Sequence, residues 1–336
     1  MKAVLFDSAG EPDEVLHSGD TELRPPGRGE VRVRMISSPV NPSDMMFVRG
    51  IYGIKPQCPQ TPGFEGVGVV EASGGGLRGT IFKGKRVVVM NSAGGNWAEQ
   101  AVVPATQIIP ISSGLSDDQA ATFFVNPATA WIMTQEVLKV PPGSWLLQTA
   151  AGSALGHMIA RLGKHCGFKT LCVIRRDVYR DSLQRAGADA VVVFDPAQHP
   201  PEQLRDDVRK ATGSEGVRYA VDPVGGLTAA AVVNCLGQRG RLLLFGTLSG
   251  QAVEFAPRTL MESDASIAGF WLGHFMMQQG LLFKLKLVRR LTGLIQSGVL
   301  ETQVAACYPL DEISKAVRAA EDQNVSGKIV LQCTPG

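Results

Sequence analysis

The segment Trp145-Leu-Leu-Gln-Thr-Ala-Ala-Gly-Ser-Ala-Leu-Gly156 is the stretch best suited to chemistry. Its apolar opening predicts a buried strand and its small residues a tight turn. The spacing of Ile159, Leu162 and Cys166 predicts a helix beyond. A helix start after such a turn offers free N–H groups and a dipole to an anion. The match to the G-x-G-x-x-G dinucleotide pattern is partial: Ala151 and Ser153 hold the first two glycine positions and Gly156 the third. Small side chains still let the backbone approach a pyrophosphate, and Gly156 permits close helix–strand contact. Gly152, Ser153, Ala154 and Leu155 are therefore candidate cofactor-binding residues. A tight turn in any doubly wound domain is the alternative.

Arg175 and Arg176 follow the next expected strand, 19 and 20 residues past Gly156. Sites for NAD often place a carboxylate there for the ribose 2′-hydroxyl. Guanidinium groups instead suit a 2′-phosphate, so this pair favours NADPH. Two solvated arginines are the other reading, and Asp177 is a competing partner for either one.

These residues need elements to position them. At 336 residues the chain is long for one domain. The first 120 or so residues look β-rich: Val31-Arg-Val-Arg-Met35 alternates, and Val67–Val70 and Arg86–Met90 are further strand candidates between Gly/Pro clusters. Beyond Ser116, helical stretches alternate with short apolar runs: 145–148, 169–174, 190–194, 219–221, 242–245 and 266–270. That alternation predicts βαβ units and a parallel sheet covered on both faces. The tail, about Tyr308 to Pro335, ends in a strand, Gly327-Lys-Ile-Val-Leu331, expected to rejoin the first domain. The expected division is 1–118, 119–268 and a return at 269–336.

Composition excludes several classes. The charge balance is 33 basic against 31 acidic residues, net +2, which argues against nucleic-acid binding. No apolar run is long enough for a membrane span. The chain opens Met-Lys-Ala-Val-Leu-Phe-Asp, which reads as a strand and not as a signal peptide. The six cysteines form no C-x-x-C pair, and none of the five histidines falls in a ligand spacing, so no metal site is expected. Scattered thiols point to a cytoplasmic location.

The whole chain resembles the medium-chain dehydrogenase/reductase superfamily. The residues that carry this are Gly63-Phe-Glu-Gly-Val-Gly68, the turn before Gly156 and Ser326-Gly-Lys-Ile-Val330. The fold this implies is α/β: a GroES-like, β-rich catalytic domain plus a Rossmann domain with a doubly wound parallel sheet. Zinc-dependent members carry a histidine where this chain has Phe64 and a cysteine where it has Asn41, so the chain resembles the zinc-free reductases. Within these it is most similar to the mitochondrial type of enoyl thioester reductase. The matching segments are Val40-Asn-Pro-Ser-Asp44, Arg49-Gly-Ile-Tyr-Gly53, Val125-Asn-Pro-Ala-Thr-Ala130, Ala150 to Gly156 and Gly269-Phe-Trp-Leu272. It departs from that family at Gly152, where asparagine is common, and in the residues after Arg175 and Leu272.

The resemblance implies NADPH-dependent reduction of a trans-2-enoyl thioester on coenzyme A or an acyl carrier protein. Hydride goes to the β-carbon, charge develops on the thioester oxygen, and the α-carbon takes a proton. It makes Tyr52 the catalytic residue, a phenol protonated at neutral pH in a Gly-flanked loop. It places Asn126 near the cofactor and Thr129 at the nicotinamide amide; a helix cap is the other reading of both. Phe245, Gly246, Thr247 and Leu248 end a parallel strand, where cofactor crevices lie. Phe270, Trp271 and Leu272 are expected to wall the nicotinamide, or to pack in the core, with Trp271 also toward substrate. Lys328 resembles a cofactor-proximal lysine, with a surface lysine almost as good a reading. Asn41 is a substrate candidate, and Glu65 receives no role.

Between Trp271 and Ile295, Phe275-Met-Met277 suits an acyl pocket, and Lys284, Lys286, Arg289 and Arg290 suit phosphates or an acidic carrier. An amphipathic helix with a solvated basic side accounts for the same residues. A homodimer pairing the 266–270 edge strands is expected by resemblance. Two other functions stay open: a quinone or α,β-enone reductase on the same scaffold, and a non-catalytic NADPH sensor.

Overall fold

The computed structural model describes every residue except 112, 323, 324, 335 and 336; Pro335, at the end of the expected tail, thus lies outside the described residues. The backbone forms two compact units: Met1–Val125 with the chain from Thr302 on, and Asn126–Glu301. Residues 269–301, read from the sequence as the start of the return, group with the second unit. There the helix Leu281–Gln296 buries Leu287, Leu291, Leu294 and Ile295. Arg161 of the same unit donates to the carbonyls of Val299 and Glu301 at 2.9 and 2.5 Å.

The first unit is built on a seven-stranded sheet. Its centre is Glu30–Pro39, where Val31, Val33 and Met35 are buried and the alternate Arg32 and Arg34 are half-exposed. That is the alternation of a strand with one core face. Glu65–Ser73 pairs antiparallel on one side of it. The apolar strand Lys328–Gln332 pairs antiparallel on another, joining residues nearly 300 positions apart in sequence (Val330 to Pro39).

The second unit carries a six-stranded, wholly parallel sheet. In spatial order its strands are Ala190–Val193, Lys169–Ile174, Trp145–Gln148, Val217–Asp222, Leu236–Leu244 and Ser266–Gly269. Numbered within the unit this order is 3-2-1-4-5-6, with its reversal between Trp145–Gln148 and Val217–Asp222. In such sheets ligands bind at the carboxyl ends of the strands beside that reversal. The helix Val125–Trp131 continues into a π-helical stretch, Ile132–Val137, which the sequence did not signal. The wider turn sets Glu136 to accept the Trp131 indole N–H at 3.0 Å, an i,i+5 pair. Among the described residues, no helix is long and apolar enough to cross a membrane.

Candidate active site

In the second unit the strand Trp145–Gln148 runs through the expected turn into the thirteen-residue helix Ala154–Cys166. Ser153 caps that helix by accepting the Gly156 N–H at 3.1 Å. The N–H groups of Ala154 and Leu155, in the first turn, have no acceptor within the helix. A side chain at Gly156 would set its Cβ 2.1 Å from the Ala151 carbonyl, and one at Gly152 would meet the Tyr179 ring at 2.6 Å. The close approaches are therefore real although the glycine pattern is incomplete, and the cradle fits a pyrophosphate.

The turn is anchored from the neighbouring strand. The Thr149 hydroxyl donates to the buried Asp222 carboxylate, which also accepts the N–H groups of Val224 and Gly225 at 3.1 and 2.7 Å. Burial pushes the Asp222 carboxyl above its usual range, and these three donors oppose that. Next to Thr149, Ala150 sits at φ +47°, a left-handed conformation costly for alanine. Ala150→Gly is expected to stabilise the protein by up to about 1 kcal/mol, the relieved strain being partly offset by glycine's larger unfolded-state entropy. Thermal melts check it; a lowered melting temperature would contradict strain at this position.

Arg175 and Arg176 follow the strand Lys169–Ile174, the first exposed and the second half-buried. Arg176 donates to the Tyr179 hydroxyl at 3.1 Å and lies 5.7 Å from the centroid of its ring. Asp177 accepts from Arg180 at 2.7 Å. The structure thus joins Gly152, Tyr179 and Arg176. Tyr179 was not a sequence candidate; its signal was an aromatic three residues past a basic pair, at the start of a helix.

Phe245 to Leu248 leave the carboxyl end of Leu236–Leu244, as expected. The Phe245 N–H reaches the Asp222 carbonyl at 3.0 Å, the Leu248 N–H reaches Pro223 at 3.1 Å, and Gly246 lies against Pro223. Phe270 to Leu272 leave the edge strand Ser266–Gly269, three strand spacings, about 14 Å, from the turn strand. Phe270 packs near Phe275 (6.1 Å) and Trp271 near His274 (4.6 Å). Asn126 and Thr129 lie inside the helix Val125–Trp131, with Thr129 buried. Phe275 to Met277 lie in the helix Leu272–Met277, which buries none of its residues.

The first unit holds Tyr52, Asn41 and Lys328. Lys328 is 8% exposed, so the surface reading of it is wrong. Its ammonium donates to the Asn41 side-chain oxygen at 2.7 Å, and the Asn41 amide donates to Glu65 at 2.9 Å. The other Glu65 oxygen accepts the Val125 N–H at 2.9 Å. Asn41 also begins the helix Pro42–Val48, where Asp44 accepts the N–H groups of Asn41 and Phe64 at 2.8 and 3.0 Å. All four polar residues are buried. Burial pushes the Asp44 carboxyl up to about 7, raises Glu65 and lowers Lys328, while the lysine's charge pulls both acids back down. Glu65, given no role from sequence, sits at the centre of this network.

Tyr52 is half-buried in the loop after that helix, its ring 5.4 Å from the ring of Phe64. Phe64 in turn packs edge-on against Phe47 at 5.1 Å. The Phe64 ring thus forms a platform for Tyr52. Among the described residues, no three His, Cys, Asp or Glu side chains cluster as a metal site would need.

Residues 27–113 match the alcohol dehydrogenase GroES-like domain, and residues 154–285 match the zinc-binding dehydrogenase family. A mitochondrial enoyl-[acyl-carrier-protein] reductase of Caenorhabditis elegans is 30% identical over 325 residues, covering 95% of this chain and 91% of that protein. A putative NADPH:quinone reductase from Bacillus thuringiensis superposes with TM-score 0.89 at 30% identity, over 98% of each chain. The ETR1P/NADP/crotonyl-CoA complex superposes with TM-score 0.83 at 25% identity, over 98% of this chain and 99% of that one. The chain belongs to the medium-chain dehydrogenase/reductase superfamily of oxidoreductases. Within it, its homologues divide between mitochondrial enoyl reductases and quinone reductases.

Proposed function

We propose that this protein is an NADPH-dependent reductase of trans-2-enoyl thioesters, with Tyr52 as the group that meets the reacting oxygen. The observation that carries this reading is the Tyr52–Phe64 pair at 5.4 Å, a phenol braced by the residue that replaces a metal ligand. Bound in the second unit, NADPH supplies the hydride equivalent. The turn at Gly152 to Leu155 would hold its pyrophosphate, and Arg175 and Arg176 would hold the 2′-phosphate.

An enoyl thioester is already polarised, so its β-carbon accepts hydride without a Lewis acid. The negative charge then gathers on the thioester oxygen. Tyr52 hydrogen-bonds that oxygen through its O–H and then gives this proton to the α-carbon, directly or through a water, the phenolate being reprotonated from solvent. A prearranged donor of this kind acts where the charge appears, at no cost in reorganisation.

The test is NADPH oxidation, followed by absorbance, with enoyl-coenzyme A substrates from crotonyl upward, beside a simple quinone. Turnover of the thioesters is expected. Robust quinone turnover with no thioester turnover would replace this reading by the quinone one, which the Bacillus relative favours. NADPH binding without turnover of either would leave a sensor. The exposed edge strand Ser266–Gly269 supports a homodimer, which light scattering checks.

A further inference from the structure

We propose that Asp44 is a positioning residue for Tyr52, acting through the backbone of Phe64 and through the helix Pro42–Val48. The proposal rests on the role given to Tyr52 above. Asp44 is fully buried, and its two carboxylate oxygens hold two segments of chain. One takes the Asn41 N–H at the head of its own helix, at 2.8 Å. The other takes the Phe64 N–H at 3.0 Å, twenty residues away in sequence.

Both connections end at Tyr52. The Phe64 ring is the surface on which the tyrosine ring rests, at 5.4 Å. At its far end the helix offers the Met46 carbonyl, which accepts the N–H groups of Ile51 and Tyr52 at 3.0 and 3.1 Å. The side that bears the ring and the side that bears the backbone are thus tied by one carboxylate. A loop tyrosine otherwise has freedom that a donor to a developing charge must not have, since a shift of about 1 Å can cost about 10²-fold in rate.

The tie depends on ionisation. An ionised carboxylate accepts on both oxygens; once protonated, one of them becomes a hydroxyl and a far poorer acceptor. The charged groups facing Asp44 are Glu65 on the strand Glu65–Ser73 and Lys328 on the strand Lys328–Gln332. Burial and Glu65 favour the protonated form, Lys328 and the two N–H donors the ionised one, leaving the carboxyl at about 7. Turnover is therefore expected to fall as pH drops below about 7, as one of the two ties is lost.

Asp44→Asn keeps the size of the side chain but replaces one acceptor oxygen by a donor. The measurements are kcat and KM on both sides of neutral pH, and the ring NMR signals of Tyr52, one of only four tyrosines, assigned with Tyr52→Phe. The expected result is a kcat lower by about tenfold or more, an unchanged KM for NADPH, loss of the acid limb and shifted Tyr52 ring signals. An unchanged kcat, a persisting acid limb or unshifted ring signals would each overturn the proposal. Should Asp44→Asn fail to fold, the wild type tests the tie directly: the Tyr52 ring signals are expected to move as pH falls through about 7, and signals that stay fixed across that range would equally overturn the proposal. If the wild type reduces no enoyl thioester, the enoyl reading fails, and the Tyr52 ring signals alone still decide the role of Asp44.

Discussion

Tyr52→Phe is expected to lower kcat for enoyl thioesters by about 10²- to 10⁴-fold, the range for loss of a positioned acid. In barrier height that is about 3–5 kcal/mol. The substitution removes one oxygen and leaves the ring, so the packing on Phe64 at 5.4 Å survives and the fold is expected to be unchanged. The second unit is untouched, so the KM for NADPH is expected to hold. Steady-state kinetics with circular dichroism as a control check this. A kcat within about twofold of wild type would remove Tyr52 from the chemistry.

Replacing Arg175 and Arg176 together by alanine is expected to lower kcat/KM for NADPH by about 10²-fold or more, with a much smaller loss for NADH. A hydrogen bond between charged groups contributes about 1.5–3 kcal/mol, and tenfold corresponds to about 1.4 kcal/mol. Only NADPH carries the 2′-phosphate, so the ratio of the two specificities isolates that group. Arg176 also braces Tyr179, which covers Gly152, so Arg176→Ala alone is expected to cost more than Arg175→Ala. Equal losses for both cofactors would mean that the pair serves the turn and not the phosphate.

The parallel sheet was legible because its strands are short apolar runs between helices, and burial on both faces leaves no other arrangement. Lys169–Ile174 and Trp145–Gln148 stand where the sequence put them. Leu236–Leu244 is longer than the expected 242–245, since its polar start, Gly-Gln-Arg-Gly-Arg, gives no local strand signal; pairing with Val217–Asp222 is made at Leu236 and again from Arg241 onward. The π-helical stretch Ile132–Val137 left no trace in the apolar spacing.

The site divides in the same way. Local contacts, such as Ser153 capping its own helix, follow from residue types a few positions apart. The Lys328–Asn41 bond spans 287 residues, and lysine is so often exposed that its type argued the other way. Glu65 and Asp44 gain their meaning only when three strands and a helix meet. Phe64 was read from sequence as the loss of a ligand; its gain, a ring beneath Tyr52, needed the fold.

The strand Lys328–Gln332 completes the sheet begun by Glu30–Pro39, with the whole second unit between them in the chain. On a ribosome adding about 5–20 residues per second, some tens of seconds separate the synthesis of Asn41 from that of Lys328. A nascent chain can therefore finish the second unit while Asn41 and Glu65 still await their cation. A chain released short of Lys328 would carry the whole second unit and lack one of the groups that oppose the raised pKa of two buried acids in the first. The first unit is in this sense the last part of the protein to be made whole.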